Sequence, residues 1–327
     1  MTNEIADICW VVSEGTPGME NQALGLAERL GLPIAVKRVK LALPWRWLAP
    51  RLPVSPFARA TADSSPLAPP WPLVVIGCGR QSIPFVFAIK RASVGRTVLV
   101  QTQHPRTNPR KFDLVVPPQH DGLIGPNVFS ILGSPNRITP TSLSQARAKF
   151  ASLFEVLRAP RLTVLIGGRS SAYRFSDADV DALSAALKTL AQDFGLIVLP
   201  SRRTGEENTS RIASALEGTG AYVWRGAGEN PYQGALAWAD SFLVTADSVN
   251  MACEAAATGK PLNIFPLQGG SRKFRMFHDS LAQKGIARPF TGKIEQWRYE
   301  PLDETGRAAK RVQELLDLRA RASDMKA

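Results

Sequence analysis

Cysteine is scarce in this chain of 327 residues: Cys9, Cys78 and Cys253 are the three, far apart and each inside an apolar run. Their spacing excludes a disulfide framework and a zinc site built on close thiolates, and leaves them as small core residues. Long apolar runs are missing too. No stretch reaches the about 18 uninterrupted apolar residues needed to span a bilayer. The opening MTNEIADICWVV carries acidic groups ahead of a short apolar strand, where a secretory leader would carry positive charge and a longer apolar centre. A cytoplasmic location is expected. Acidic residues all but vanish between positions 37 and 111, where thirteen lysines and arginines face Asp63 alone, within a net charge of +12. Inside that region LALPWRWLAPRLPVSPFARA (41–60) interleaves Trp45, Trp47, Leu48 and Phe57 with arginines. This is the pattern of a surface at an anionic membrane interface, with Lys37, Arg38, Lys40, Arg46, Arg51 and Arg59 as the cations facing the lipid. The competing account is a basic face whose Pro-rich loop packs on its own domain. Nucleic acid attracts the same charges, but no nucleic-acid motif is present, and Pro44, Pro50, Pro53 and Pro56 exclude a continuous recognition helix.

What is present is a soluble, globular composition, 44% hydrophobic and 21% charged, long enough for two domains with separate cores. The first half alternates strands and helices. Strands are expected at Ile5–Val12, Ile34–Val39, Leu73–Gly77, Thr97–Thr102, Leu114–Val116 and Val128–Leu132, and helices at Gly18–Leu30 and Ile83–Ala92. After Pro135 and Pro140, a helix over Leu143–Arg158 ends at Ala159-Pro160 and reads as the connection between domains. The same grammar then restarts: strand Thr163–Ile166, helix Ala178–Asp193, strand Leu196–Leu199, helix Glu206–Leu216, strand Ala221–Trp224, helix Pro231–Trp238. A last amphipathic helix covers Leu302–Ala320. The fold class is α/β, two doubly wound Rossmann-like domains, assigned to 1–142 and 161–300 with the linker at 143–160 and the last helix at 301–327.

The most informative segment is 240–267, DSFLVTADSVNMACEAAATGKPLNIFPL. It reads as strand Ser241–Thr245, an Asp247-Ser248 turn, a helix with apolar spacing at Met251, Ala252, Ala255 and Ala256, a Gly259 stop, and a second strand after Pro261. Ligands of such sheets bind beyond the carboxyl ends of the strands, where a helix N-terminus attracts an anion. Glu254, two turns in on a helix otherwise of Ala, Cys and Met, can accept two hydroxyls of a ribose. The plainer account has Asp247 or Ser248 capping the helix and Glu254 solvated. Two more turns follow strands of the same half. Gly167-Gly168-Arg169-Ser170-Ser171 and Ser201-Arg202-Arg203-Thr204-Gly205 supply glycines for close approach, cations and hydroxyls, a set suited to a diphosphate. In the first half, Glu14 after the first strand and His104 after VLVQTQ are the candidate general bases. Either also has a structural account: His104 as a hydrogen-bonded strand-end residue, Glu14 as the orienter of its Gly turn.

The segment TADSVNMACEAAATGKPLNIF resembles the donor-binding region of GT-B glycosyltransferases, and within them the ELM-type family, named for a plant mitochondrial-fission protein. WVVSEGTPGMENQALGLAERLGLP (10–33), VVIGCGRQSIP (74–84), QTQHPR (101–106), LIGGRSSAYRFS (165–176) and LPSRRTGEENTS (199–210) are similar to family signatures in the same order, over nearly the whole chain. The resemblance implies two facing domains, a C-terminal helix returning to the first, and nucleotide-sugar chemistry. It implies that the loop carrying Arg225 and Gly228 contacts the base. The expected reaction moves a sugar from a nucleotide-diphosphate donor, held by Gly167, Gly168, Arg169, Ser170, Ser201, Arg202, Arg225, Gly228, Asp247, Ser248 and Glu254, to a glycan or lipid-linked envelope acceptor at the inner face of the membrane. No cofactor and no metal are expected: Asp177-Ala178-Asp179 has the form of a D-x-D clasp, but it follows Ser176 at a helix start, where acids are favoured by the dipole alone. Ala246 stands eight residues before Glu254, where retaining members carry Glu, which favours inversion. Two alternatives stay open. Gly77-Cys78-Gly79 is an incomplete dinucleotide fingerprint, with Ser82 for the third glycine and Gln101 and Gln103 where an acid is needed, which disfavours an NAD-dependent nucleotide-sugar epimerase or oxidoreductase. A non-catalytic recruitment scaffold would have no need for cations and glycines at several turns of one edge.

Overall fold

The computed structural model describes residues 4–51 and 54–324; Pro53 lies outside them. The chain divides into two compact units, residues up to Arg137 with those from Asp303 onward, and Ile138–Leu302. The first unit runs β1 (Ile5–Ser13), α1 (Pro17–Glu28), β2 (Ile34–Arg38), α2 (Trp45–Leu48), β3 (Trp71–Cys78), α3 (Ser82–Ala92), β4 (Val98–Thr102) and β5 (Leu114–Val116). The second runs α4 (Pro140–Lys149), α5 (Ala151–Phe154), β6 (Arg161–Ile166), α6 (Asp177–Leu190), β7 (Gly195–Pro200), α7 (Glu206–Ala215), β8 (Tyr222–Val223), α8 (Tyr232–Trp238), β9 (Ser241–Thr245), α9 (Val249–Ala256), β10 (Leu262–Phe265), α10 (Arg272–Gln283) and β11 (Ala287–Pro289). Helix α11 (Glu304–Asp324) belongs to the first unit.

Each unit is built on one wholly parallel sheet, ordered β2-β1-β3-β4-β5 and β11-β10-β9-β6-β7-β8. The period-two rule explains both cores. Cys9 and Val11, Val74, Ile76 and Cys78, and Val98 and Val100 point to one face, where they pack with Leu26 and Ala27 of α1, with Leu30 just after it, and with Ala308, Ala309 and Val312 of α11. Trp10, Val12, Val75, Leu99 and Val115 point to the other, against Ile83, Phe85, Val86 and Ile89 of α3. In the second unit Leu162, Val164, Ile166, Leu196, Val198 and Leu243 meet Val180, Leu183 and Leu187 of α6 and Ile212 of α7. The α11 docking is fixed by polar groups as well. Glu304 Oε2 accepts from the Leu132 amide at 2.9 Å, and the Asn136 amide donates to Thr305 Oγ1 at 2.9 Å.

Strand order places a switch point in each sheet, where successive connections leave in opposite directions and open a crevice beyond the strand ends. In the first sheet it lies between β1 and β3, in the second between β6 and β9.

Several expectations need correction. Residues 128–132 form no strand: Val128 and Ile131 make only single bridges, to Val115 and Pro118. The helix expected over 143–158 is two helices, broken at Phe150, whose ring packs against Gly234 so closely that a Cβ there would sit 2.6 Å from it. Two of the six cations expected to face lipid are already paired. Arg38 donates to Glu20 at 2.7 and 3.0 Å, and Lys40 meets Asp63 at 2.8 Å.

Candidate functional site

Asp247 organises the switch point of the second sheet. Its side chain is wholly shielded, its Oδ2 accepting from the Gly168 amide at 2.9 Å and from Arg203 Nη1 at 2.6 Å, and its Oδ1 accepting from Thr245 Oγ1 at 2.7 Å. The Gly167 amide donates to Thr245 Oγ1 at 2.8 Å. Two expectations change here. Asp247 presents nothing to a ligand; it holds the turn. Nor do Gly167 and Gly168 cradle phosphate with their amides, which are already spent. They are glycine because of crowding: a Cβ on Gly167 would lie 2.2 Å from Asp247 Oδ2, and one on Gly168 2.2 Å from the Arg203 carbonyl. Ser201 Oγ donates to the Gly167 carbonyl at 2.6 Å, Ser170 Oγ accepts from the Ala172 and Tyr173 amides at 3.2 and 3.1 Å, and Ser248 Oγ caps α9 by accepting from Met251. The three hydroxyls therefore build the loops. What faces outward is cationic: Arg169, Arg202 and Arg225 are exposed.

Glu254 lies half-buried on α9 and accepts a hydrogen bond from Tyr232 Oη, at the start of α8, at 2.5 Å. Burial pushes its carboxyl up to about 7, against the opposing pull of the Tyr232 hydroxyl. The Gly226 and Gly228 turn ahead of α8 takes positive φ, 84° and 77°, with open space around both, and Asn230 Oδ1 accepts from the Tyr232 amide at 3.0 Å. Thus the loop proposed for the base ends on the tyrosine that holds the candidate ribose acid.

Helix α10 is the part of this edge that the sequence reading misses. It follows β10 through Gly269 and Gly270, at φ 110° and 109°, and this turn is pinned to the β6 loop by the Gly270 amide donating to the Ala172 carbonyl at 2.7 Å and the Arg174 amide to the Gln268 carbonyl at 2.9 Å. Its first turn carries Arg272, Lys273 and Arg275, all exposed, and no acidic residue. Cations oppose the helix dipole at an N-terminus, so this arrangement costs stability unless an anion is bound. His278 Nε2 donates to the Ala246 carbonyl at 2.8 Å and ties α10 to the end of β9, while burial lowers its pKa and keeps the ring neutral.

At the switch point of the first sheet stand Glu14, after β1, and the Gly77–Gln81 turn after β3. The Gln81 side-chain amide donates to Glu14, and Gln81 Oε1 accepts from the Leu41 amide at 3.3 Å. Glu14 remains half-buried with its other oxygen beside Gly79. His104 does not fit the role of base. Its Nδ1 accepts from the Arg106 amide at 2.9 Å, which puts the proton of the neutral ring on Nε2 and leaves no free lone pair. Glu20 is a buried acid that periodicity hides: Arg38 above all, then Ser13, whose Oγ donates at 2.8 Å, hold its pKa below the usual carboxylate range against the cost of burial.

The family model for the mitochondrial fission protein ELM1 matches residues 17–316. The chain belongs to the ELM family. It is 33% identical over 276 residues to mitochondrial fission protein ELM1 of Arabidopsis thaliana, an alignment covering 76% of this chain and 65% of that protein, so the chain spans just under two thirds of the plant relative. An uncharacterised protein of Rickettsia prowazekii, RP120, is 28% identical over 354 residues, covering 94% of this chain and 97% of that one. Among solved structures, MurG of Acinetobacter baumannii superimposes with a TM-score of 0.51 at 15% identity, covering 94% of this chain and 100% of that one. The UDP-GlcNAc 2-epimerase of Neisseria meningitidis bound to UDP-GlcNAc gives 0.52 at 13%, covering 94% and 99%. This ELM-family chain therefore has the GT-B fold shared by glycosyltransferases and such epimerases.

Proposed function

We propose that this protein transfers a sugar from a nucleoside-diphosphate donor, bound by the second unit, to a glycan or lipid-linked envelope acceptor bound by the basic first unit at the inner face of the membrane, with inversion and without metal or cofactor. The observation that carries the reading is the β6/β9 switch point: a turn held rigid by buried Asp247, beside the first turn of α9, with Arg169 and Arg202 exposed on the same sheet edge and Arg272 and Arg275 opening α10 after the next strand. Cations and helix N-termini at one edge of a parallel sheet suit a diphosphate. In the reaction the acceptor oxygen attacks the anomeric carbon and Glu14 takes its proton. The bond from that carbon to the diphosphate oxygen breaks, its electron pair leaving with the diphosphate, whose growing charge the arginines and helix termini stabilise. Glu254 accepts from the ribose hydroxyls, and backbone groups of Arg225–Gly228 meet the base.

The epimerase alternative separates by product, since it returns an isomer of the donor without acceptor. Its NAD form is disfavoured by Gln101, buried at 1% exposure with its amide against Gly77, where a ribose-binding carboxylate would be needed. The test is calorimetry over a panel of nucleoside diphosphate sugars. Arg169→Ala and Arg202→Ala should each weaken diphosphate binding more than nucleoside binding, since a guanidinium meets phosphate and has little reason to recognise the base. Equal losses for both ligands, or no binding of any donor, overturn the reading, the latter in favour of a scaffold.

A further inference from the structure

Residues 41–60 form a closed excursion from the first sheet. Leu41 and Ala60 bridge in antiparallel fashion, and the Ala42 amide donates to the Arg59 carbonyl at 2.9 Å. The inner side is fixed. Leu41 and Ala49 are 2% and 4% exposed, Trp45 packs on the Trp10–Trp71 cluster, and Arg80 clamps the loop by donating to the Ala49 and Arg46 carbonyls at 3.0 and 3.3 Å. The outer side is apolar: Trp47 is 70% exposed, Leu43 64% and Leu48 47%, while Phe57, 38% exposed, stacks on Trp71. Four of the ten large apolar side chains left exposed among the described residues fall in this one loop, apart from Leu52 and Pro53, which lie outside those residues. Scattered single apolar residues need no explanation; a cluster does. Between them stand Arg46, Arg51 and Arg59, all exposed, none paired with an acid among the described residues, Arg59 lying 4.9 Å from the centre of the Trp45 ring.

We infer that this loop docks the protein on an anionic lipid bilayer, with Leu43, Trp47 and Leu48 entering the boundary between headgroups and acyl chains and the three arginines meeting lipid phosphates. An indole with leucines on one side and unpaired guanidiniums interleaved is the amphipathic set that this interface favours, and a backed loop supplies it without an inserted helix. Among the described residues no helix is long and apolar enough to cross a membrane. The surface gives the acceptor side of the transferase reading an address but does not rest on it: vesicle binding needs no nucleotide, so the two fail separately.

The experiment is flotation of the full chain with phosphatidylcholine vesicles, with and without phosphatidylglycerol, at low and high salt. Binding is expected only with phosphatidylglycerol, falling about tenfold or more at high salt. Trp47→Ser with Leu48→Ser should lower it about tenfold, and Arg46→Ser with Arg51→Ser should weaken the salt dependence, leaving the share due to Arg59, circular dichroism showing both variants folded. Equal binding to both vesicles, binding to neither, or full binding by the Trp47/Leu48 variant overturns the inference. So does sedimentation velocity showing a dimer that this variant breaks, which assigns the face to a second copy.

Discussion

In the proposed role, Glu254 sets ligand binding against stability. A carboxyl held near 7 in the folded protein, against an ordinary value of 4.5, binds a proton more tightly folded than unfolded. Its contribution to the fold is therefore complete below pH 4.5 and is lost as pH rises through about 7. Glu254→Gln, which keeps an acceptor for Tyr232 and carries no charge, should melt higher than the parent at pH 8 by a difference worth about 1–3 kcal/mol. The difference should vanish at pH 4. At pH 8, where the carboxyl is ionised, the same substitution should weaken nucleotide binding by about 1–3 kcal/mol, since an anionic acceptor of ribose hydroxyls becomes neutral. A melting difference independent of pH would show that Glu254 does not titrate in this window, and unchanged affinity would remove it from the ribose. At this scale residue types were legible and roles were not. Asp247 and Ser248 head the helix together, and only the fold reveals that one is buried under the neighbouring turn while the other caps. Arg202 and Arg203 are equivalent in sequence, yet Arg203 alone reaches Asp247.

The first turn of α10 poses the same conflict at the scale of an element. Arg272 opens a helix whose N-cap Ser271 makes no side-chain capping bond and whose first turn has no acid. Arg272→Glu reverses the charge facing the dipole and should stabilise the ligand-free protein by about 0.3–1 kcal/mol. Affinity for a nucleoside diphosphate should fall by about tenfold, as a charge-assisted contact becomes a repulsion. Opposite signs from one substitution separate a binding role from a structural one: a variant both less stable and weaker binding would show that Arg272 merely supports the helix. The element was legible in principle from Phe274, Phe277 and Leu281 at helical spacing behind Gly269-Gly270. Segment 128–132 misleads for the opposite reason. Its apolar residues pack beside β5, but Pro117, Pro118 and Pro126 interrupt the amides that a continuous ladder requires.

At the scale of the molecule, the two sheets carry separate cores, which predicts separate responses to perturbation. The repeated βα grammar announces two units, and amphipathic spacing announces the last helix. Neither says which unit α11 joins, because its small apolar stripe of Ala308, Ala309 and Val312 would fit beside any parallel sheet; the expectation that it returns to the first came from family resemblance. Its burial there gives a handle on one unit alone. Val312, fully buried in the first core, replaced by Asp should place an unpaired carboxylate among Leu26, Leu30 and Val74 and destabilise that unit by several kcal/mol, about 3 or more. In the proposed reading a bound donor acts on the other: at a concentration of about 100 times its Kd, a ligand of the second unit alone stabilises that unit by about 2.7 kcal/mol. Calorimetry should resolve two transitions, Val312→Asp lowering one and the nucleoside diphosphate sugar raising the other. A single transition moved by both would mean that the units unfold together, and a ligand that raises the transition lowered by Val312→Asp would move the donor site to the first unit, away from Asp247 and α9.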